Sequence, residues 1–111
     1  MATEIKEADW KVFRRLREVS LERFCERVLA DVQSVMADTG AAYHDRYLKV
    51  FDLIRARDKT ISRIFDDPRR STALISLADM KHEGLLNADE LAQFSAEARQ
   101  AIDHIEELRR A

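Results

Sequence analysis

Apolar residues recur every three or four positions along most of the chain, which is the spacing of an amphipathic helix. The pattern is continuous over two long segments, residues 8–37 and 41–66. Three shorter segments follow, over residues 68–83, 88–94 and 96–109. We therefore predict an all-α fold in a single domain of 111 residues. Its architecture would be a bundle of four to five helices, built on a long antiparallel helical hairpin with shorter C-terminal helices.

Particular residue types mark the ends of these segments. Glycine tolerates the left-handed conformation that ends many helices, and a proline after a capping carboxylate favours a helix start. A capping box pairs a polar N-cap residue with a glutamate three residues later. Gly40 and Gly84 are predicted to end helices. Asp67-Pro68 is predicted to begin one helix, and Asn87 with Glu90 is predicted to begin another.

The first two helices are long for a domain of this size. A helix of about 28 residues extends ~42 Å, whereas a compact chain of this length has a radius of gyration near ~13 Å. The hairpin should therefore overhang a compact body. We expect Trp10, Val12 and Phe13 to be exposed at one end of it and to form an interface. A homodimer is the simplest way to cover them.

The composition favours a globular helical protein. Apolar residues make up 46% and charged residues 36%, with only two glycines and one proline. A β-fold would need more turn residues, and a disordered chain would be less apolar. Cys25, the single cysteine, lies on the apolar stripe and is predicted to be a buried structural thiol. With neither a signal segment nor ~20 consecutive apolar residues, we predict a cytoplasmic protein without membrane contact.

Charge is unevenly distributed along the chain. The net charge is −2, but residues 45–70 carry +3 and residues 71–111 carry −4. A nucleic-acid-associated accessory factor using the basic segment 46–70 is the alternative hypothesis. The interleaved aspartates and the acidic chain argue against nucleic acid as a partner. The candidate contacts for an anion or a partner protein are Arg55, Arg57, Arg63, Arg69 and Arg70.

No segment predicts a catalytic, metal or cofactor site. Residues 79–90 align with a twelve-residue calcium loop, but Lys81 stands where a ligand oxygen is required. His104 and Glu107 lack the second copy that a di-iron bundle needs. Asp58 interrupts an apolar stripe, either as a solvated side chain or as a buried ion-pair or site residue. We therefore predict a protein that is not an enzyme and carries no cofactor. An enzyme with an unrecognised helical site is the least favoured alternative.

Part of the chain resembles a known helical hairpin. The residues are Leu74, Leu77, Met80-Lys81 and Gly84-Leu85-Leu86-Asn87-Ala88-Asp89-Glu90-Leu91. This segment, 74–91, is similar to the SHOCT-type hairpin of bacterial proteins, which implies an oligomerisation or docking module. The whole chain resembles an uncharacterised type of small bacterial helical protein. The first hypothesis is thus a non-enzymatic protein–protein interaction module that self-associates as a homodimer and docks another protein.

Overall fold

The computed structural model describes residues 5–111. Within this range the chain forms five α-helices and no strand, which confirms the all-α prediction. No helix in the described part is long and apolar enough to span a membrane. The helices are α1 (Glu7–Ala37), α2 (Tyr43–Phe65), α3 (Ala73–His82), α4 (Ala88–Leu91) and α5 (Ala96–Arg110).

Helices α1 and α2 form the long antiparallel hairpin, and the hairpin overhangs the rest of the molecule. The molecule measures 55 × 28 × 24 Å, and its radius of gyration is 16.9 Å. That radius exceeds the ~13 Å of a compact domain of this length. The prediction of an overhang from helix length is therefore confirmed.

The hydrophobic core lies at one end of the hairpin. There α3, α4 and α5 pack against the N-terminal half of α1 and the last residues of α2. We call this end the body. Its buried apolar side chains include Phe13, Leu16 and Phe24 of α1, Ile64 and Phe65 of α2, Leu77 and Met80 of α3, Phe94 just before α5, and Ile102 in α5.

The turn between α3 and α4 follows the sequence prediction. Gly84 has a φ of +70°, and the Leu85 N–H donates to the Met80 carbonyl oxygen at 2.9 Å, as in a Schellman stop. The Asn87 side chain accepts from the Glu90 N–H at 2.8 Å, and the Glu90 carboxylate accepts from the Asn87 N–H at 3.0 Å. The capping box is thus confirmed. The SHOCT-like segment 74–91 comprises most of α3, this turn and α4.

The start of α3 differs from the prediction. The helix begins at Ala73, not at Pro68, because Asp67 has a φ of +52° while an N-cap residue requires extended backbone. The Asp67 carboxylate pairs with Arg69 at 2.6 Å instead of capping a helix. Residues 66–72 consequently form a turn between α2 and α3.

The end of α1 also differs in detail. The helix stops at Ala37, and Asp38 is its C-cap residue. Gly40 donates its N–H to the Asp38 carboxylate at 3.2 Å. Its φ is not in the left-handed region, which Gly84 occupies. The predicted left-handed stop at Gly40 is therefore wrong, since an aspartate-stabilised turn makes the connection to α2.

Candidate interaction surface

The distal hairpin, which we define as residues 25–63, contains no fully buried residue. Arg27 and Val28 of α1 and Ile61 and Arg63 of α2 still contact the body, and between these residues the two helices extend beyond it. Large apolar side chains are nevertheless frequent there, and isolated monomers rarely expose them in such a group. The exposed ones are Leu29, Met36, Tyr43, Tyr47, Leu48, Phe51 and Ile54.

One apolar stripe on α2 runs from the core onto this surface. Tyr47, Phe51, Ile54, Ile61 and Phe65 follow the alternating three- and four-residue spacing of a helix that packs against another helix, with the exposed Asp58 at the position between Ile54 and Ile61. Phe65 is 1% exposed and Ile61 packs against the core, whereas Phe51 is 52% exposed and Ile54 47%. The body therefore covers one half of the stripe and leaves the other half open.

The stripe continues across the hairpin tip onto α1. Met36, Tyr43, Arg46, Tyr47 and Val50 line an open, largely apolar cleft of about 350 Å³. The Arg46 guanidinium lies 4.6 Å from the centre of the Tyr43 ring and donates to the Met36 carbonyl oxygen at 2.7 Å. Both helices thus contribute to one flank. Tyrosine, methionine and arginine are enriched at protein interfaces.

Leu29 extends the same flank along α1. It precedes Met36 by seven residues, which is two helical turns, so both side chains lie on one face of α1. We call the set Leu29, Met36, Tyr43, Tyr47, Phe51 and Ile54 the apolar flank.

The three residues predicted for the exposed end lie at the other end of the hairpin. Phe13 is 1% exposed and stacks against Trp10 with ring centres 5.3 Å apart, while Trp10 and Val12 are partly buried. The prediction of an exposed apolar end there is wrong. In an antiparallel hairpin the end of α2 lies beside the start of α1, and the short connection 66–72 keeps the body there. The overhang is therefore the tip of the hairpin.

The five candidate arginines of the basic segment 46–70 do not form one surface. Four of them pair with acidic side chains, two in α1, one in α3 and one in the turn 66–72, and Arg55 is exposed on α2. These arginines therefore do not form a continuous positive surface to which a nucleic acid could bind. The pairs are Arg57 with Asp31 at 3.3 Å, Arg63 with Asp79 at 3.6 Å, Arg69 with Asp67 at 2.6 Å, and Arg70 with Glu7.

Sequence reasoning missed a basic cleft on the N-terminal part of α1. The cleft has a volume of about 510 Å³, and Trp10 and Pro68 form its apolar walls. Four cations lie within seven residues at helical spacing, but counting charge over residues 1–44 averages them with distant acids. That spacing is the signal that would have found the cleft. Its charged lining residues are Lys11, Arg14, Arg15, Arg17 and Glu18.

A partly buried ion pair joins Arg23 of α1 to Glu90 of α4. Arg23 donates to both carboxylate oxygens of Glu90, at 2.6 and 2.9 Å, and to the Leu85 carbonyl oxygen at 2.8 Å. The hydrogen bonds from Arg23 lower the pKa of Glu90, and the same pairing raises the pKa of Arg23. Arg27 donates to the carbonyl oxygens of Glu83 and Gly84 at 2.6 and 2.8 Å. These contacts fix the body onto α1.

The remaining candidates do not converge on a chemical site. Asp79, the first position of the calcium-like loop, is buried and pairs with Arg109 at 2.5 Å. His104 and Glu107 are exposed, and among residues 5–111 no three metal-ligating side chains are grouped. Asp58 is exposed, so it is no buried ion pair.

Cys25 differs from its prediction in a similar way. The thiol is free and only partly buried, and it lines an open groove on α1 together with Glu22 and Glu26. The reason is that α2 and the body pack on other sides of α1 at this level.

Comparison with known proteins identifies a structure with the same fold. The chain is similar to the solved structure of the fluorescence recovery protein from Synechocystis sp PCC 6803, with a TM-score of 0.78. The match covers 93% of this chain and 98% of that one at 24% sequence identity, which shows a shared fold. No protein-family profile and no curated protein sequence matches the chain.

Proposed function

We propose that this chain is a non-enzymatic interaction protein that self-associates as a homodimer through the apolar flank of its distal hairpin. The observation that carries the proposal is the absence of any buried residue between Cys25 and Arg63, where Tyr43 is 86% and Tyr47 65% exposed. Two packed helices without a core are marginal on their own, because most helical stability in proteins comes from tertiary burial. A partner would supply that burial.

A second copy of the chain fits the flank for two reasons. Its side chains are aromatic and aliphatic, so the same patch on another copy is complementary to it without any pairing of opposite charges. Two hairpins laid flank to flank also make a four-helix bundle, an arrangement in which helices bury stripes of this spacing. Fully burying one large apolar side chain contributes about 1.5–3 kcal/mol. Several such side chains in a two-fold interface outweigh the cost of association.

The fold comparison supports the non-enzymatic part of the proposal. The protein with the similar structure is named for the recovery of fluorescence, and that name denotes no enzymatic reaction. Docking of another protein, as the SHOCT-like resemblance implies, would then use surfaces that remain outside the dimer.

Light scattering in line with size-exclusion chromatography tests the proposal. We expect a mass of twice the 12.9 kDa of one chain at micromolar concentration. Phe51→Glu should give the monomer mass with unchanged helix content, because Phe51 is half exposed within one chain. Ile75→Glu is the matched control, since Ile75 is 48% exposed on α3 away from the flank, and should remain dimeric. A monomeric wild type at these concentrations would refute self-association.

A further inference from the structure

The basic cleft at the N-terminal part of α1 has positive charge that the other side chains of residues 5–111 leave without ion pairs. Arg17 is already committed, since it donates to the Phe65 carbonyl oxygen at 2.9 Å and pairs with Glu18 at 3.0 Å. Arg15 donates to the neutral Gln93 side chain. Lys11 and Arg14 are exposed. Neither has an ion-pair or hydrogen-bond partner among the side chains of residues 5–111.

Nearby acidic side chains are occupied elsewhere. Glu7 pairs with Arg70, and the buried carboxylate of Asp9 accepts from both the N–H and the hydroxyl of Ser95, at 2.8 and 2.6 Å. The cleft therefore keeps Lys11 and Arg14 without a carboxylate partner in the described part of the chain, and Arg15, whose charge also acts on Glu90, forms no ion pair there. Its concave walls, formed by Trp10 and Pro68, distinguish it from an ordinary solvated helix face.

We propose that this cleft binds an acidic segment of a partner protein through its carboxylates. Two neighbouring arginines and a lysine suit this chemistry, because guanidinium groups bind carboxylates through paired, charge-assisted hydrogen bonds. The site lies at the end of the hairpin opposite the apolar flank. It does not depend on the self-association proposed above.

Two observations favour an acidic protein segment over a nucleic acid. The Trp10 ring already has partners within the chain, since it stacks with Phe13 with ring centres 5.3 Å apart and the Arg70 guanidinium lies over it at 5.5 Å. A base would have to compete with these contacts for the ring, whereas single-stranded nucleic acids bind to aromatic side chains that are open for stacking. The chain's net charge of −2 also opposes a long polyanion while it permits a short acidic segment.

Trp10 is the single tryptophan and lines the cleft, so its fluorescence reports binding directly. The probe is a capped hexaglutamate peptide titrated at low salt. We expect a saturable change in Trp10 emission that weakens as salt rises. Lys11→Glu combined with Arg14→Glu should weaken binding by about tenfold or more, equivalent to 1.4 kcal/mol. Arg99→Glu with Arg110→Glu on α5 is the control of equal charge change and should bind nearly as the wild type does.

Four results would overturn the proposal. The first is no saturable change in Trp10 emission at low salt, and the second is equal weakening of peptide binding by both double variants. The third is tighter binding of a single-stranded oligonucleotide than of the peptide. The fourth is loss of the dimer mass in the Lys11/Arg14 variant. The last result would assign the cleft to a second copy. Phe51→Glu should bind the peptide like the wild type, which separates this test from that of self-association.

Discussion

At the scale of single residues, the buried Ser20 and the partly buried Ser95 have opposite environments. Ser20 is fully buried in α1, and its hydroxyl has no hydrogen-bond partner among residues 5–111. Ser95 is the N-cap of α5, and its hydroxyl donates to Asp9 at 2.6 Å and accepts from the Ala98 N–H at 3.1 Å. Because an unpaired buried hydroxyl costs free energy and a paired one contributes it, the two serines should respond differently to the same substitution.

Alanine substitutions measure this difference. We expect Ser20→Ala to leave the free energy of unfolding unchanged or to raise it by about 1 kcal/mol, since it removes an unpaired hydroxyl from the core. Ser95→Ala should lower it by about 1–2 kcal/mol, through loss of the cap and of the bond to a carboxylate. Urea unfolding followed by circular dichroism gives both values. Equal destabilisation by the two variants would contradict the assigned environments.

The ion pair between Arg23 and Glu90 predicts a pH dependence of stability. Arg23 holds the pKa of Glu90 below its ordinary value of 4.5. The stabilisation is therefore present above the unfolded-state pKa and is lost as the pH falls through the lower folded-state pKa. Glu90→Gln should cost about 2 kcal/mol at neutral pH, and the difference from the wild type should shrink below a pH of about 4.

Urea unfolding at a series of pH values tests this expectation. Glu107→Gln is the control, since Glu107 is exposed at the far end of α5, and it should follow the wild type throughout. A wild-type advantage over Glu90→Gln that persists unchanged in acid would show that the charge of Glu90 is not what stabilises this contact.

At the scale of elements, the two glycines have different roles. Gly84 ends α3 with a φ of +70°, a conformation that is strained for any side chain. Gly84→Ala should lower the free energy of unfolding by about 1 kcal/mol. Gly40→Ala should be neutral or slightly stabilising, because a Cβ there would meet its nearest atom at an ordinary 3.4 Å. Destabilisation by both variants would refute the distinction.

The elements also show what the sequence could and could not predict. The bounds of α1 and α5 followed from apolar periodicity, and the stop of α3 from a glycine with a capping box beyond it. The start of α3 was missed because the pairing of Asp67 with Arg69 and the left-handed backbone at Asp67 override a local helix-start signal. Both features are local, so two local arrangements compete at Asp67, and the residue types alone do not decide between them.

An exposed apolar overhang was predicted, but it was placed at the wrong end of the hairpin. Helix length alone indicated an overhang, and it cannot say which end the body covers. The seven-residue connection 66–72 holds that information, because a short link must leave α3 beside the end of α2 and the start of α1. The basic cleft was missed for another reason. Its charges cancel in a count over a long segment although they lie together on a helix.

At the scale of the whole molecule, the two proposed surfaces lie at opposite ends of a 55 Å body-and-hairpin shape. The apolar flank is at the hairpin tip, and the basic cleft is beside the core. Association through the tip would therefore hold two bodies apart and leave both basic clefts open. This arrangement would let one dimer engage two acidic segments at once, with the gain in affinity that bivalent binding gives.

The proposed dimer also couples association to the stability of the distal hairpin. Because residues 25–63 contain no buried side chain within one chain, their helical hydrogen bonds should open easily in a monomer. In native-state hydrogen exchange we expect amides of residues 28–36 and 43–54 to be protected in the wild type and to exchange much faster in Phe51→Glu. Amides of α3 and α5 should exchange equally in both proteins, since the core around Leu77 and Ile102 is complete in a single chain. Ile75→Glu should resemble the wild type throughout. Equal protection of the tip in the monomeric variant would show that the hairpin is stable without a partner, and the reason for self-association would then fail.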